Sequence, residues 1–466
     1  MKKETICAYL PDFVRTGYGE KYSTILRYFF PEVISALLLY SALSLFDSIL
    51  IAHLRSTSTY ATLGLTNSLL HTITKLAEAF SVSSTVLAGR FNGAKLYQEV
   101  GKTARDTFWI TLLLGLFFTI VLYSSSQAIY FWYDVPESIR IIGVPFLRLK
   151  AISVLFSFVY LGFFGFLRGI KNTAVPMYSF LLGAVVFIFF DYALVLGKFG
   201  FPALELQGSA IASIAQNVTM TFALLLYILF DKNNRKYVIC LLQPLRSPSY
   251  IKELITLSLP VAIDKVVFAA SYAWLYATIC PMGKYWAATY TAVRDMEKLA
   301  ILPAIAFAQV ITFLVSNDYA NGNWDAIRSN IYKALFLSAG MVVPLLLVLS
   351  LWPSYFIALF DKKDAFTGLA ACVFPIVSIF VIFDLMQLIL AGALRGAGDV
   401  KTVMFVRLFV FISYFWPASY LISLMALPDT LKFILLYGLF YLGTAFMSII
   451  YINRLAGSGW QKLRNI

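Results

Sequence analysis

Two aspartates lie inside long apolar stretches of the sequence, where a carboxylate is costly to bury. Asp47 interrupts the run SALSLFDSILIA, and Asp191 follows LLGAVVFIFF. An ionisable group within a membrane-spanning segment costs about 2.5–3.5 kcal/mol on insertion scales, so each is a candidate functional group. Two acids that share an apolar site cannot both ionise cheaply, and we expect one of them to take up a proton. The structural alternative is a carboxylate tied to hydroxyl groups or to a helix end.

A third acid, Asp384, lies in another apolar stretch, three residues before Gln387. An ion-binding role for Asp384 and a structural hydrogen bond to Gln387 both remain open. Ser209, Gln216 and Asn217 form a polar stripe that packing explains better, since small polar residues let transmembrane helices approach closely.

The segments that carry these residues are long enough to cross a bilayer. Of the 466 residues, 60% are hydrophobic and 13% are charged, whereas a soluble domain has about 25% charged residues. Apolar runs of about 20 residues recur along the whole chain. We therefore predict an all-α polytopic membrane protein with twelve transmembrane helices. The predicted spans are 28–52, 62–88, 107–132, 144–166, 174–196, 206–230, 254–280, 286–315, 333–359, 368–393, 402–425 and 430–452.

Basic residues orient these spans, because cytoplasmic loops retain Lys and Arg. The charge bias predicts a multi-pass protein of the cell (inner or plasma) membrane with both termini cytoplasmic. The polar first 27 residues indicate no cleavable signal peptide, so the first span is expected to direct insertion. Residues 231–253 are expected to form an exposed cytoplasmic linker. The net charge of +13 then follows from topology and from contact with anionic membrane lipid, without a nucleic-acid partner.

The chain repeats itself at an offset of about 228 positions. FLRGIKNTAVPMY begins at residue 166 and ALRGAGDVKTVMF at residue 393, and both are expected in cytoplasmic loops. Six spans per repeat place both halves in the membrane the same way round, as two parallel six-helix lobes related by a pseudo-two-fold axis along the membrane normal. The predicted lobes are 1–240 and 241–466. Three further landmarks recur in the same order: Pro31 with Pro260, Gly93 with Gly322 and Asp134 with Asp361.

These motifs resemble the multidrug and toxic compound extrusion (MATE) family, most closely its DinF-like prokaryotic branch. The resemblance covers both halves and is carried by LFDSILIAHL (45–54), LRGIKNTAVPM (167–177), GFPALELQGSAIAS (200–213) and DLMQLILAGALRGAGD (384–399). It implies export of drugs or metabolites against entry of Na⁺ or H⁺, by alternating access between two lobes.

The resemblance also implies a coupling site. The DinF-like branch ascribes a cation or proton site to aspartates on helices one and five, an Asn one turn before the second aspartate, and a Thr on helix six. The matching positions are Asp47, Asp191, Phe187 and Ser213. Because Phe187 has no amide oxygen, H⁺ is favoured over Na⁺, although Na⁺ at Asp47 and Asp191 stays open. Asp384 resembles the ion-linked aspartate of the NorM-like branch.

Further charges fall on helices that, by the resemblance, line a central substrate cleft. A cleft bearing four cations favours an anionic or zwitterionic substrate, whereas mutual pairing of the charges would give them a structural role. The candidates are His71, Lys75, Glu78, Asp264, Lys265, Arg294, Asp295, Glu297 and Lys298, with Tyr40 as the one aromatic assigned to the substrate.

Enzymatic chemistry has no legible site in the sequence. No GxxxxGK[ST] phosphate loop occurs, and two His and four scattered Cys give no metal or disulfide spacing. We therefore predict a monomeric carrier without a cofactor that acts on a small organic substrate and is driven by H⁺ or Na⁺. The alternative is a flippase or exporter of an anionic lipid-linked or zwitterionic substrate.

Overall fold

The structure, a computed structural model, describes residues 18–38, 42–54, 56–133, 135–237, 239, 241, 248–358 and 365–461. Within these ranges the chain forms helices and connecting turns, with no β-strand. Tyr40, Asp134 and Asp361 lie outside the described residues. The α-helices are α1 Tyr22–Leu37, α2 Leu43–Ala52, α3 Thr57–Gly93, α4 Tyr97–Trp132, α5 Glu137–Gly169, α6 Ala174–Leu196, α7 Leu206–Phe230, α8 Pro248–Ile279, α9 Lys284–Ala320, α10 Trp324–Leu351, α11 Pro353–Ile357, α12 Thr367–Gly396, α13 Val400–Val410, α14 Trp416–Leu424 and α15 Asp429–Ala456.

Local sequence signals set several helix ends. The Ser56 side chain accepts a hydrogen bond from the backbone N–H of Thr59 at the start of α3, which satisfies a donor that the helix leaves unpaired. Asn323 caps α10 in the same way. α6 ends at Gly197, whose φ of 65° lies in the left-handed region that glycine adopts without strain.

Ten helical segments of the described residues are long and apolar enough to cross a membrane. They correspond to the last ten predicted spans and make the chain a multi-pass membrane protein. The first predicted span is divided between α1 and α2, and residues 39–41 between them lie outside the described part. The second predicted span is α3, which carries His71, Lys75 and Glu78 and is therefore less apolar. Twelve crossings stay a prediction.

The chain divides into two compact units. The first unit is residues 30–262, and the second unit is residues 1–29 together with residues 263–466. The units differ from the predicted lobes in two places. The start of α1, up to residue 29, belongs to the second unit, and the start of α8, up to residue 262, belongs to the first unit. Both divisions fall inside a helix and close to a proline, Pro31 in α1 and Pro260 in α8.

The same tight helix contact occurs once in each unit. Thr85 Oγ1 donates to the carbonyl oxygen of Gly165 at 2.9 Å, and Thr312 Oγ1 donates to that of Gly392 at 3.0 Å. A Cβ built on Gly165 would overlap the Ser81 carbonyl oxygen, and one on Gly392 would lie 2.6 Å from the Ala308 carbonyl oxygen. Each residue in one contact lies 227 positions from its equivalent in the other. The sequence repeat is therefore a repeat of backbone packing.

Two expectations about the connections hold only in part, and residues 238, 240 and 242–247 of the expected linker lie outside the described residues. Both LRG motifs form the last turn of a helix, α5 or α12, rather than a loop. The expected exposed linker folds at its start into a 3₁₀ turn, Lys232–Tyr237, in which Asn234 and Tyr237 are buried. Asn234 Nδ2 donates to the Tyr227 carbonyl oxygen at 3.2 Å, and the Tyr237 hydroxyl donates to Asn92 Oδ1 at 3.1 Å. These contacts hold the turn against the helices.

Candidate ion-coupling site

The two aspartates singled out from the sequence are buried in the first unit. Asp47 lies in α2 and is 3% exposed, and Asp191 lies in α6 and is fully buried. α2 packs against α6. Asp47 Oδ1 and both carboxylate oxygens of Asp191 have no hydrogen-bond partner among the described residues. Because a buried carboxylate without partners is strongly disfavoured, these oxygens need a proton or a cation.

A buried lysine that the sequence analysis did not single out lies at the same site. Lys150 of α5 is 6% exposed, and its Nζ donates to Ser213 Oγ of α7 at 2.6 Å. Its ammonium group is close enough to Asp47 and Asp191 to interact electrostatically with both. Lys150 is an ionisable group inside the predicted span 144–166, so the rule that selected the aspartates could have found it too.

The hydroxyl groups of α7 complete the polar part of this site. Ser213 Oγ, which accepts from Lys150, donates to the Ser209 carbonyl oxygen at 3.0 Å. The Ser209 side chain lies beside Asp47. Phe187, at the position where the resemblance implies an Asn, is 3% exposed and packs with Leu43. The wall at this position is therefore apolar and supplies no oxygen.

The third aspartate lies in the second unit beside another buried acid. Asp384 of α12 and Glu297 of α9 are each 5% exposed and interact electrostatically. Asp384 Oδ1 and Glu297 Oε1 have no hydrogen-bond partner among the described residues. The side-chain amide of Gln387 also has none there. The expected alternative for Asp384, a hydrogen bond to Gln387, is therefore not formed.

Most of the proposed cleft charges have partners close by. Lys75 Nζ donates to Glu78 Oε1 at 2.7 Å, and Lys298 Nζ donates to Asp295 Oδ1 at 2.7 Å. Arg294 donates to the Tyr290 hydroxyl at 2.9 Å, and its guanidinium carbon lies 3.8 Å from the centroid of the Tyr272 ring. These contacts fit the structural alternative for the three cations.

Asp264 is held by two arginines of its own unit. It is 1% exposed, and its Oδ2 accepts a hydrogen bond from Arg395 Nη2 at 2.6 Å. Its Oδ1 lies 2.9 Å from Arg407 Nε, with which it forms a salt bridge. Arg395 belongs to the second LRG motif. Asp264 is one of the residues predicted to line a substrate cleft, and the sequence alone identifies neither arginine as its partner.

The first LRG arginine makes a similar pair in the first unit. Arg168 donates from Nε to Glu32 Oε1 at 2.9 Å and from Nη2 to Glu32 Oε2 at 2.5 Å. Glu32 is 1% exposed, and the guanidinium carbon of Arg168 lies 3.6 Å from the centroid of the Phe164 ring. Glu32 directly follows Pro31, and the sequence analysis did not select it.

The candidate residues therefore fall into separate sets. The first unit holds Asp47, Asp191, Ser213 and Lys150 together, with Lys75 and Glu78 as a pair and His71 exposed on the same helix. The second unit holds Asp264 with its arginines, Glu297 with Asp384, and the Asp295–Lys298 pair, and Lys265 is half-buried in α8.

A protein-family model matches both halves of the chain. The family model MatE matches residues 33–193 and 260–421, once in each half of the chain, and the two matches begin 227 positions apart. The chain belongs to the MATE family. The family assignment made from the motifs is therefore confirmed, and members of this family are transporters.

Curated relatives of this MATE protein have similar names and lengths. The probable multidrug resistance protein NorM of Thermotoga maritima is 24% identical over 343 residues, which is 74% of this chain and 73% of the relative. The probable multidrug resistance protein YoeA of Bacillus subtilis is 21% identical over 349 residues, which is 73% of this chain and 74% of the relative.

Solved structures share the fold over nearly the whole chain. A crystal structure of MATE in the bent conformation superposes with a TM-score of 0.86 at 17% identity, covering 97% of this chain and 98% of that one. An outward-facing conformation of a multidrug resistance MATE family transporter of the MOP superfamily gives a TM-score of 0.84 at 18% identity, covering 96% and 97%. At these identities the likeness establishes the fold alone.

Proposed function

We propose that this MATE protein is a secondary antiporter of the cell membrane that exports small organic compounds in exchange for H⁺. The observation that carries the proposal is the buried pair Asp47 and Asp191, three of whose four carboxylate oxygens have no hydrogen-bond partner among the described residues. A buried acid pair of this kind is stable only when it shares a proton, binds a cation or meets a fixed positive charge.

The proposed mechanism couples that proton to helix packing. Asp47 lies on the short helix α2, and Asp191 lies on α6, which α2 contacts. Protonation removes a buried charge and changes how strongly the two helices attract Lys150. The state of the transporter that prefers the protonated pair is then populated when protons are abundant, and the other state is populated when they are released. Export follows if the two states differ in their affinity for the substrate.

H⁺ is proposed over Na⁺ because the described residues around Asp47 and Asp191 offer few neutral oxygens. Na⁺ is a hard cation that prefers several oxygen ligands, as other hard cations do. Phe187 replaces the amide that the family resemblance implies, and Ser213 Oγ is already engaged by Lys150.

The alternative function, flipping an anionic lipid-linked substrate, relies on free cations. Lys75 and Lys298 each lie 2.7 Å from a carboxylate oxygen, and Arg294 is bonded to Tyr290. The ion pairs of the two lysines weaken the electrostatic reason for an anionic substrate and support the antiporter. We propose that both termini lie in the cytoplasm, as the charge bias indicates. We also propose that the transporter is a monomer.

The test is proton-driven transport in reconstituted vesicles. Proteoliposomes with an imposed pH gradient should move a fluorescent lipophilic organic cation such as ethidium, and Asp47→Asn should abolish this movement. The matched control is Asp325→Asn, the same chemical change at an exposed acid in the first turn of α10, which should transport normally. Wild-type transport by Asp47→Asn, with unchanged dependence on the gradient, would refute the proposed site.

A further inference from the structure

The buried lysine of α5 differs from the other buried cations described above. Arg168, Arg395 and Arg407 each lie within 2.9 Å of a carboxylate oxygen, with which they form ion pairs. Lys150 instead donates to a neutral hydroxyl, Ser213 Oγ. Among the described residues, no carboxylate oxygen forms an ion pair with the Lys150 ammonium group at so short a distance.

Hydrogen-bond donors of the lysine and hydrogen-bond acceptors of the two acids are both left unused at this site. An ammonium group has three N–H donors and no acceptor, and one donor of Lys150 is used by Ser213. On the acceptor side, three carboxylate oxygens of Asp47 and Asp191 lack partners among the described residues. The lysine therefore has unused hydrogen-bond donors at a site where the two acids have unused acceptors. The ring of Phe146 also lies near the lysine, with its centroid 5.4 Å from Nζ.

The charge of the site follows from these three groups. With Lys150 protonated and both acids ionised, the site carries one net negative charge, which a single proton neutralises. Without the lysine it would carry two negative charges around unpaired oxygens, which is the kind of environment that binds a hard metal cation.

We infer that Lys150 is the resident cation of the acid site, and that it disfavours Na⁺ because its ammonium group, held by Ser213, already supplies a positive charge beside the two acids. The lysine is then a specificity-determining residue: it leaves H⁺ as the ion that the pair of acids takes up. The inference concerns ion selectivity at the site named in the proposed function. Binding of Na⁺ tests it without any measurement of transport.

The experiment measures Na⁺ binding to the purified full-length protein in detergent. Thermal unfolding is followed while NaCl replaces choline chloride at constant ionic strength and fixed alkaline pH, because a ligand that binds only the folded state raises the unfolding temperature. The wild-type protein should show no Na⁺-specific rise. Lys150→Met, which keeps the length and removes the charge, should show a saturable rise with an affinity for Na⁺ at least tenfold above that of the wild type.

A double variant identifies where the ion binds. Lys150→Met combined with Asp191→Asn should lose the Na⁺-specific rise, since the second change removes one of the two negative charges. If Lys150→Met does not fold, the wild-type titration and Lys150→Gln still test the inference. A saturable Na⁺-specific rise in the wild-type protein would overturn it, as would a folded Lys150→Met or Lys150→Gln that gains no Na⁺ affinity. Failure of proton-driven transport would refute the proposed function and leave this result intact.

Discussion

The buried pair between Glu32 and Arg168 gives a prediction about stability whose size follows from the structure. Glu32→Gln keeps the shape of the side chain and removes its charge, so the guanidinium group of Arg168 loses both of its charged hydrogen bonds, at 2.9 and 2.5 Å. The glutamate is 1% exposed and the arginine side chain 11% exposed, so water cannot replace the lost partner.

The expected cost is that of an unpaired buried charge. Breaking a buried ion pair by removing one partner destabilises a protein by about 3–5 kcal/mol. At about 2–4 °C per kcal/mol for 150–250 residues, the apparent unfolding temperature should fall by roughly 6–20 °C. The exposed pair between Glu137 and Arg140, 3.3 Å apart with side chains 74% and 41% exposed, is the matched control. Such surface pairs contribute about 0–1 kcal/mol, so Glu137→Gln should lower the temperature by at most about 4 °C.

The assay is intrinsic tryptophan fluorescence during heating of the purified proteins in one detergent. The double variant Glu32→Gln with Arg168→Met should recover part of the loss, because it leaves neither charge buried alone. An equal fall for Glu32→Gln and Glu137→Gln would refute the reasoning that this pair stabilises the first unit.

Three further predictions use the same heating assay or a labelling assay. Asp264→Asn removes the carboxylate shared by two buried arginines, so this variant should show a larger fall in apparent unfolding temperature than Asp295→Asn. Asp295 is the control because its partner, Lys298, is exposed, and equal falls for the two variants would contradict this prediction. Gly392→Ala should destabilise by about 1–3 kcal/mol because its Cβ would press on a neighbouring carbonyl oxygen, whereas Gly340→Ala, with no atom within 4 Å, should be neutral or stabilising. In a variant whose four native cysteines are replaced by serine, a cysteine at exposed Asn233 should react with an impermeant thiol reagent in inside-out vesicles but not from outside intact cells. Labelling from outside in that variant would reverse the predicted orientation.

The sequence was sufficient to predict the helical membrane fold, because hydrophobic length alone identifies a segment that can cross a bilayer. It also identified Asp47 and Asp191 as buried acids, since few other ionisable residues interrupt those runs. The repeat was evident because the LRG motif, a proline, a glycine and an aspartate recur in the same order at an offset of about 228 positions. The structure adds a helix contact that repeats 227 positions apart, Thr85 with Gly165 and Thr312 with Gly392.

The partners of the charged residues were not legible in the same way. Lys150 and Ser213 are 63 positions apart, and Arg168 and Glu32 are 136 apart. A hydrophobic pattern gives the length of a helix but not its rotation, so it does not say which polar side chain faces which neighbour. The burial of Asn234 was missed for a related reason. A short polar segment looks solvent-exposed until the helices that cover it are in place.

The central claim is that the buried pair Asp47 and Asp191 releases a proton when the transporter binds its substrate. The most direct test is to add ethidium to purified wild-type protein in weakly buffered detergent and to record the pH of the solution. The account predicts that binding releases protons, and that the variant Asp47→Asn with Asp191→Asn releases none while Asp325→Asn releases as many as the wild type. Equal proton release by the wild type and the double variant, or binding to the wild type without release, would contradict it.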